Sequence, residues 1–197
     1  MEQGCRKCRR QGVKLFLKGE KCFLPKCPIT LRPYVPGQHG PTKFSKVSEY
    51  GKQLKEKQKV RSIYNISETQ LKNYYEKASK SSGNTSEILV QILESRLDSV
   101  VYNLGFFKSR STARQAVNHG FFVLNGKKAD IPSILTKISD VITIKEGKKI
   151  KIEDNIKNPS WIEFEKKSNS YKIKNLPSID DIETVYDINL VIEYYSR

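Results

Sequence analysis

Residues 109–128, SRSTARQAVNHGFFVLNGKK, decide the fold of this chain, because they join a helix pattern to a tight hairpin signal. Residues 111–120 have the pattern of a short helix that stops at a glycine. Residues 121–124 are apolar, and the pair Asn125-Gly126 follows them. This pair favours a two-residue type I′ turn, because both central residues of that turn need positive φ. The stretch therefore predicts a helix, a strand, a tight turn and a second strand.

A longer helix pattern precedes this stretch. Apolar residues recur at steps of three and four from Ile88 to Leu104, which places them in one stripe along a single helix. Gly105 suits the end of that helix, since glycine adopts the left-handed cap conformation without steric cost. Residues 138–145 predict a further strand after a loop. The order predicts two helices packed on a small, mainly antiparallel sheet.

The basic residues fall into two zones. The sequence carries 36 Lys plus Arg against 21 Asp plus Glu, a net charge of +15. Residues 1–61 hold 16 basic and 4 acidic side chains, and residues 108–151 hold 10 and 3. A polyanion is the natural partner of such zones, because each neutralised phosphate releases condensed counterions. A solvated basic surface is the alternative.

Several protein classes are disfavoured. The sequence has no run of about twenty apolar residues and no apolar signal core at its start, so we expect no membrane span and no secretion. It shows no nucleophile with a base at a useful spacing and no phosphate loop, and His39 has no second ligand or catalytic partner nearby. We therefore expect neither an enzyme nor a small-molecule substrate.

All four cysteines lie in the first 27 residues. Cys5, Cys8, Cys22 and Cys27 have the spacing Cys-x2-Cys-x13-Cys-x4-Cys. Two close pairs separated by a loop can bring four thiolates to one tetrahedral Zn²⁺ and leave no open coordination position. We therefore predict one structural zinc ion that orders an N-terminal arm. Two disulfides, four unrelated reduced thiols and an iron–sulfur cluster are the alternatives.

The rest of the first half reads as an arm and two helices. Prolines and glycines interrupt residues 28–47, which we interpret as extended. Residues 48–64 predict a helix with basic residues spread around it, and a second helix starts at Ser67 with a capping box. Residues 80–84 are a linker pattern.

Short alternating segments follow the central stretch. Residues 161–164 and 171–173 predict strands, with a turn at 168–170 between them. An acidic turn follows at 180–183, and residues 190–197 predict a closing strand. The fold class is α+β, with an arm at 1–45, a helical domain at 46–84 and the central module with an extended sheet at 85–175. Residues 176–197 are a candidate completion of the helical domain.

Two sets of residues carry a resemblance to a known family. Residues 97–106, 109–120 and 123–128 resemble the helix-helix-hairpin RNA-binding module of small-subunit ribosomal protein S-four, which is also similar to appendages of some pseudouridine synthases, tyrosyl-tRNA synthetases and heat-shock proteins. Residues 34–40 (YVPGQHG) and 48–61 (SEYGKQLKEKQKVR) resemble the ribosomal family alone. The likeness extends through Trp161 to the closing sequence, although the N-terminus before Cys5 is shorter than bacterial members have.

The resemblance implies a structural constituent of the small ribosomal subunit in the cytoplasm, with an organellar ribosome as an alternative. It implies primary binding to small-subunit ribosomal RNA at a multi-helix junction, nucleation of assembly, and a contribution to translational accuracy. It also implies a contact with ribosomal protein S-five and a place at the mRNA entry channel. Many bacterial members carry four cysteines in this arrangement. An RNA-modifying enzyme, a tRNA-handling factor and a stand-alone translational repressor are the alternatives.

The residues that we expect to contact RNA are mainly basic and lie in both zones, and shape and phosphate geometry should guide them more than base edges. They are Arg6, Lys7, Arg9, Arg10, Lys14, Lys43, Lys46, Tyr50, Lys52, Lys55, Lys59, Arg61, Lys108, Ser109, Arg110, Arg114, His119, Asn125, Lys127 and Lys128.

Overall fold

A computed structural model describes residues 3–42, 46–148, 159–165, 170–179, 182 and 185–197. The helices are α1 (Gln3–Gln11), α2 (Pro28–Leu31), α3 (Glu49–Ile63), α4 (Glu68–Lys80), α5 (Thr85–Glu94), α6 (Leu97–Asn103), α7 (Arg110–Asn118) and α8 (Ile188–Tyr195), with a 3₁₀ turn at Gly19–Cys22. The strands are β1 (Phe122–Leu124), β2 (Lys127–Ala129), β3 (Val141–Ile144), β4 (Ile162–Glu165) and β5 (Ser170–Ile173). Among the helices described, none combines the length and apolar character that crossing a membrane requires.

Some predictions fall on residues outside this description. They are the RNA contact of Lys43, the turn residues 168–169 and the acidic residues Asp180, Asp181 and Glu183.

Two compact units divide the chain: unit 1 comprises Met1–Ser86 and Thr184–Arg197, and unit 2 comprises Glu87–Glu183. The chain is α+β, as predicted, with helices in both units and the antiparallel sheet in unit 2. The finer division at residues 45 and 84 stays a prediction.

Unit 2 is a helix layer on a five-stranded sheet of order β2-β1-β3-β5-β4, in which every neighbouring pair is antiparallel. Asn125 and Gly126 have φ of 50° and 77°, so the predicted tight turn between β1 and β2 is confirmed. Helices α6 and α7 cover the sheet and share its apolar core. At the centre of that core the Phe106 ring meets the Tyr171 ring edge-on, with centroids 5.2 Å apart.

The single helix predicted from Ile88 to Leu104 is wrong, because the structure breaks it between α5 and α6. Arg96 has an extended backbone there (φ −65°, ψ 139°) and forms a β-bridge with Leu135. The Leu97 N–H then donates to the Ile134 carbonyl at 2.9 Å. These bonds to the 132–136 loop replace helix hydrogen bonds. The apolar stripe continues across the break with the same period, so the sequence pattern does not reveal the break.

Unit 1 packs helices α3, α4 and α8 together. The predicted closing strand is wrong: residues 188–195 form α8, which begins at Asp187, whose Oδ1 accepts the Asn189 N–H at 2.9 Å. Val191 is completely buried. The local sequence favours a strand, since Val, Ile and Tyr are good strand residues, but packing against α3 buries one helical face and decides the outcome.

The arm is less extended than predicted. Residues 28–31 form the short helix α2, which has Pro28 in its first turn, where the missing N–H leaves no helix hydrogen bond unmade. Beyond α2, Gly37 has φ of 121°, and a turn brings the Gly40 N–H to the Gly37 carbonyl at 3.2 Å.

Candidate nucleic-acid interface

Helix α1 separates a buried face from a basic one. Cys5, Cys8 and Arg9 are buried, whereas Arg6, Lys7 and Arg10 are exposed. Arg6 and Arg10 are four residues apart, so they stand one above the other on the same side of the helix. The face that the thiols bury therefore fixes the direction of the cations.

Helix α3 supplies the facing cations. It begins at Ser48, whose Oγ accepts the Gly51 N–H at 3.2 Å and so satisfies one free donor of the first turn. Val60 and Ile63 are buried on its inner side. Lys55 is exposed and Arg61 is half-buried on the remaining surface.

These two helices and the segment before α3 enclose a cleft of about 1080 Å³ in unit 1. Its basic lining residues are Arg6, Lys7, Arg10, Lys46, Lys55 and Arg61. No acidic side chain is among its described lining residues. Within the described part, only Arg61 of these six forms an ion pair, at 3.6 Å from Glu68. Uncompensated positive charge in a concave site concentrates anions.

Arg9 does not share this cleft, although we predicted that it contacts RNA. Its side chain is buried, and its Nε donates to the Tyr34 carbonyl at 2.9 Å. The guanidinium also lies over the Tyr34 ring, 4.7 Å from the centroid. This is a correction: Arg9 holds residues 34–35 against α1 and is not exposed to a ligand. Lys14, half-buried, is absent from the cleft lining.

Two further lysines of α3 are engaged by glutamates on their own helix. Lys52 lies 2.6 Å from Glu49, and Lys59 lies 2.6 Å from Glu56. Both are absent from the cleft lining. Their local ion pairs reduce the positive charge that they add to the surface.

The inner side of α3 carries a buried cation that the sequence did not reveal. Lys57 donates to Glu68 Oε1 at 2.8 Å and lies over the Tyr194 ring, 4.2 Å from its centroid. The Tyr195 hydroxyl donates to the same carboxylate at 2.8 Å. Burial alone would raise the pKa of Glu68, but the hydrogen bonds from Lys57 and Tyr195 lower it overall. Burial, followed by the bond to Glu68, raises the pKa of Tyr195. Tyr50, a predicted contact, is half exposed beside the same group, with its ring 5.7 Å from that of Tyr194.

In unit 2 the two predicted arginines of α7 form ion pairs with buried carboxylates. Arg110 donates to Glu94 Oε1 at 2.8 Å, and its guanidinium lies 4.4 Å from the Tyr102 ring centroid. Arg114 donates to Asp98 Oδ2 at 3.0 Å. Asp98 also accepts two hydrogen bonds from the fully buried Arg96, at 3.0 and 2.7 Å.

Sequence reasoning missed the partners of these arginines. Glu94, Arg96 and Asp98 are buried in unit 2. The signal was present, because three charged residues at alternate positions interrupt an otherwise apolar stripe. A charged residue at a core position needs a partner of opposite charge. The two arginines of α7 are the partners of Glu94 and Asp98, and Arg96 pairs with Asp98.

Two other residues predicted to contact RNA form hydrogen bonds within the protein. Ser109 is buried and begins α7, since its Oγ accepts the Thr112 N–H at 3.3 Å. The Asn125 side chain forms two hydrogen bonds at the start of β3: its Nδ2 donates to Asp140 at 2.8 Å, and its Oδ1 accepts the Val141 N–H at 2.9 Å. These bonds explain the residue types without RNA. For buried Ser109 this is a correction, because its hydroxyl is not exposed to a ligand.

The remaining predicted residues of unit 2 are on its surface. Lys108, His119, Lys127 and Lys128 are exposed. Lys128 pairs with Asp130 at 2.9 Å.

The predicted zinc ion is wrong, and the arm is not ordered by zinc. In the part of the chain that the structure describes, no three His, Cys, Asp or Glu side chains are placed to hold a metal ion. All four cysteines are buried and none forms a disulfide. Burial raises the pKa of the Cys8 thiol, which favours the protonated form. Leu15 is buried as well. Reduced cysteines are often buried in this way, because a free thiol behaves as a small apolar group.

The chain matches two family patterns. Residues 2–94 match the family described as Ribosomal protein S4/S9 N-terminal domain, and residues 95–142 match the S4 domain.

Three curated relatives carry the name Small ribosomal subunit protein uS4. The one from Acetivibrio thermocellus is 50% identical over 201 residues, covering 98% of this chain and 96% of the relative. The one from Ruminiclostridium cellulolyticum is 47% identical, covering 100% and 98%. The one from Clostridioides difficile is 46% identical, covering 98% and 96%.

Proposed function

The chain belongs to the S-four family of small-subunit ribosomal proteins, written uS4 in these names, and on this premise we propose that it is a structural constituent of the small ribosomal subunit that binds ribosomal RNA. The cleft of unit 1 carries the proposal, because its described lining holds six cations and no carboxylate. A phosphate backbone is the ligand that such a surface fits, since each contact releases a counterion.

The RNA would be held mainly through its phosphates. The guanidinium groups of Arg6, Arg10 and Arg61 can each bind phosphate oxygens with two parallel N–H donors, whereas Lys7, Lys46 and Lys55 act as point charges. Such contacts fix position and orientation and carry little sequence information. The fold of the RNA would therefore determine where the protein binds.

Unit 2 would add a second, weaker contact through its exposed lysines. Lys108 and Lys127 are the residues that we assign to it, because Arg110 and Arg114 are engaged by buried carboxylates. Those arginines would act by fixing α7, with their exposed edges as a further point of contact.

We infer that the chain acts by binding and not by catalysis. This is supported by the described lining of the cleft, which contains no carboxylate, histidine or cysteine, and these are among the side chains that act as general bases. The resemblance to the family supports four finer roles: a multi-helix RNA junction as the binding site with nucleation of assembly, translational accuracy, a contact with protein S-five, and the mRNA entry channel. It also supports the cytoplasmic ribosome as the location.

A charge-neutralising change in the cleft tests the proposal. Lys55→Gln should weaken binding of the full chain to small-subunit ribosomal RNA, and the magnitude of the slope of log affinity against log salt should fall by about 0.7–0.9. Lys72→Gln is the matched control, because Lys72 is another exposed helical lysine of unit 1 and lies outside the cleft lining. Equal affinity and equal salt slopes in the two variants would refute the cleft as the RNA site.

Sedimentation separates the ribosomal function from its rivals. The full chain should stay with small subunits after a high-salt wash. A chain found free of ribosomes that turns over RNA would instead be an RNA-modifying enzyme.

A further inference from the structure

The segment between α1 and α2 exposes an aromatic ring in a folded position. Phe23 is 71% exposed, and Leu24 beside it is 52% exposed. Single exposed apolar residues are common on protein surfaces. Here the exposed ring contacts a second ring, lies between two buried cysteines in sequence and has two exposed lysines within three residues, and these features together need an explanation.

The position of Phe23 is fixed by its neighbours. Cys22 and Cys27 are buried on either side of it, and Cys22 Sγ accepts the Lys18 N–H at 3.4 Å. The Phe23 N–H donates to the Glu20 carbonyl at 3.0 Å, and the Cys27 N–H donates to the Leu24 carbonyl at 3.0 Å. The ring is therefore presented to solvent by a closed turn with buried anchors.

A strained residue completes the surface. Phe16 has φ of 50°, a left-handed conformation that is unfavourable for a bulky side chain and that folded proteins retain mostly where the position has a use. This backbone places the Phe16 ring against that of Phe23, with centroids 5.1 Å apart and planes at 32°. We call Phe16 and Phe23 the aromatic platform.

The charge around the aromatic platform identifies the kind of partner. Residues 14–32 contain five basic residues (Lys14, Lys18, Lys21, Lys26 and Arg32) and one acidic residue, Glu20. Lys21 and Lys26 are exposed within three residues of Phe23. An exposed aromatic ring with exposed lysines close to it in the sequence fits a ligand that has a π-face and negative charges side by side. An unpaired nucleotide of RNA has both.

We propose that Phe23 is a stacking site for an unpaired RNA base, with Lys21 and Lys26 contacting the phosphates on either side of it. This goes beyond phosphate binding in the cleft, because it predicts a preference for single-stranded or looped RNA. It rests on the proposed function in taking RNA as the ligand. A protein partner with an apolar patch is the competing occupant, and the test includes it.

The test compares two RNA probes with four forms of the full chain. The probes are an oligoadenylate of about 12 nucleotides and an RNA duplex of the same length, within the usual range of single-strand site sizes. The forms are the unchanged chain, Phe23→Ala, Phe23→Leu and Phe23→Trp, with affinities measured by fluorescence anisotropy. Thermal melting followed by far-UV circular dichroism verifies that each variant is folded.

Stacking predicts a specific pattern. Phe23→Ala and Phe23→Leu should each lose about tenfold in affinity for the single strand, since base–aromatic stacking contributes about that much. Phe23→Trp should keep the affinity, and its indole emission should be quenched by the oligoadenylate. None of the three should change duplex affinity. Ile131→Ala is the control for removing an exposed apolar side chain elsewhere, since Ile131 is 57% exposed.

Three outcomes would overturn the proposal: single-strand affinity unchanged in Phe23→Ala, Phe23→Leu as good as the unchanged chain, or an equal loss for duplex and single strand. The first would assign the aromatic platform to a protein contact. Lys55→Gln tests the cleft separately. If the salt slope changes as expected in Lys55→Gln while Phe23→Ala keeps its single-strand affinity, only the stacking proposal is refuted.

Discussion

Replacing Arg110 by alanine should destabilise unit 2 much more than replacing Arg114, although both arginines lie one turn apart on α7. The difference comes from their carboxylate partners. Glu94 is completely buried and, among the contacts described, accepts hydrogen bonds from Arg110 at 2.8 Å and from the Asn103 amide at 2.6 Å. Asp98 would keep both bonds from Arg96 if Arg114 were lost.

The magnitudes follow from burial. Removing one partner of a buried ion pair costs about 3–5 kcal/mol, because the remaining charge stays buried with less compensation. Glu94 would keep the hydrogen bond from Asn103, which reduces the cost. Arg110 retains 19% exposure, so we expect the lower end, about 3 kcal/mol, for Arg110→Ala. Arg114 is 30% exposed and its partner stays neutralised, so Arg114→Ala should cost about 1 kcal/mol, as a surface pair does.

Urea unfolding followed by tryptophan fluorescence measures this difference. Trp161 is the one tryptophan of the sequence and is buried in the core of unit 2, so its signal reports that unit. Urea is uncharged and leaves ion pairs unscreened, unlike guanidinium. The free energy of unfolding falls by about 1–3 kcal/mol per molar urea, so the stability lost in Arg110→Ala should lower the urea midpoint by about 1–3 M.

A second substitution checks the cause. Glu94→Gln added to Arg110→Ala removes the buried charge and should recover part of the lost stability. Equal midpoints for Arg110→Ala and Arg114→Ala, or a double variant less stable than Arg110→Ala, would refute the argument.

The structure also determines the direction in which substitutions of Glu68 and of two glycines should change stability. The pKa of Glu68 is lowered in the folded protein, so its carboxylate stabilises unit 1 above pH 4.5, its ordinary pKa, and this contribution is lost as the pH falls through the folded pKa. In Glu68→Gln, the difference between the urea midpoints at neutral and acid pH, followed by far-UV circular dichroism, should therefore be smaller than in the unchanged chain. An unchanged difference would contradict this. Gly120→Ala should cost about 1–2 kcal/mol by Trp161 fluorescence, because Gly120 has φ of +65°. A Cβ added at Gly120 would lie 2.7 Å from Lys128 Cε, whereas one added at Gly126, with φ of +77°, would meet no described atom within 4 Å. Gly126→Ala should therefore cost about as much as Gly120→Ala if the Lys128 side chain can move aside, and a much larger loss at Gly120 would show that it cannot.

The sequence predicted the features that local chemistry controls. The turn at Asn125-Gly126 depends on two residues that tolerate positive φ, and the end of α7 depends on one glycine, so neighbouring residues suffice to find them. The two strands near Trp161 were predicted by alternation, and β4 and β5 confirm them. The exposed Lys55 of α3 follows from helical period, whereas helix α1 was not predicted, because the sequence analysis placed only a zinc-ordered arm there.

Features that depend on distant residues were missed. The break at Arg96 requires the 132–136 loop, and α8 requires the inner side of α3, which no short window contains. The cysteine spacing fits a metal site, but spacing does not determine whether thiols converge on an ion or pack into a core. Arg9 has the same residue type as its exposed neighbours, and its burial against residues 34–35 distinguishes it.

The end of the chain also determines which side of α3 faces the cleft. Lys57 is buried, and a buried ammonium is tolerated only where its charge and donors are matched. Glu68 of α4 supplies the charge, and the Tyr194 ring of α8 covers the ammonium, 4.2 Å from its centroid. Without α8, the Lys57 ammonium would lose the ring that covers it, and one of the contacts that favour this orientation of the helix would be absent. Lys55 and Arg61 line the cleft, and Arg61 also lies 3.6 Å from Glu68. The closing helix therefore supports the cationic surface through Lys57 and Glu68 without contributing a residue to its described lining.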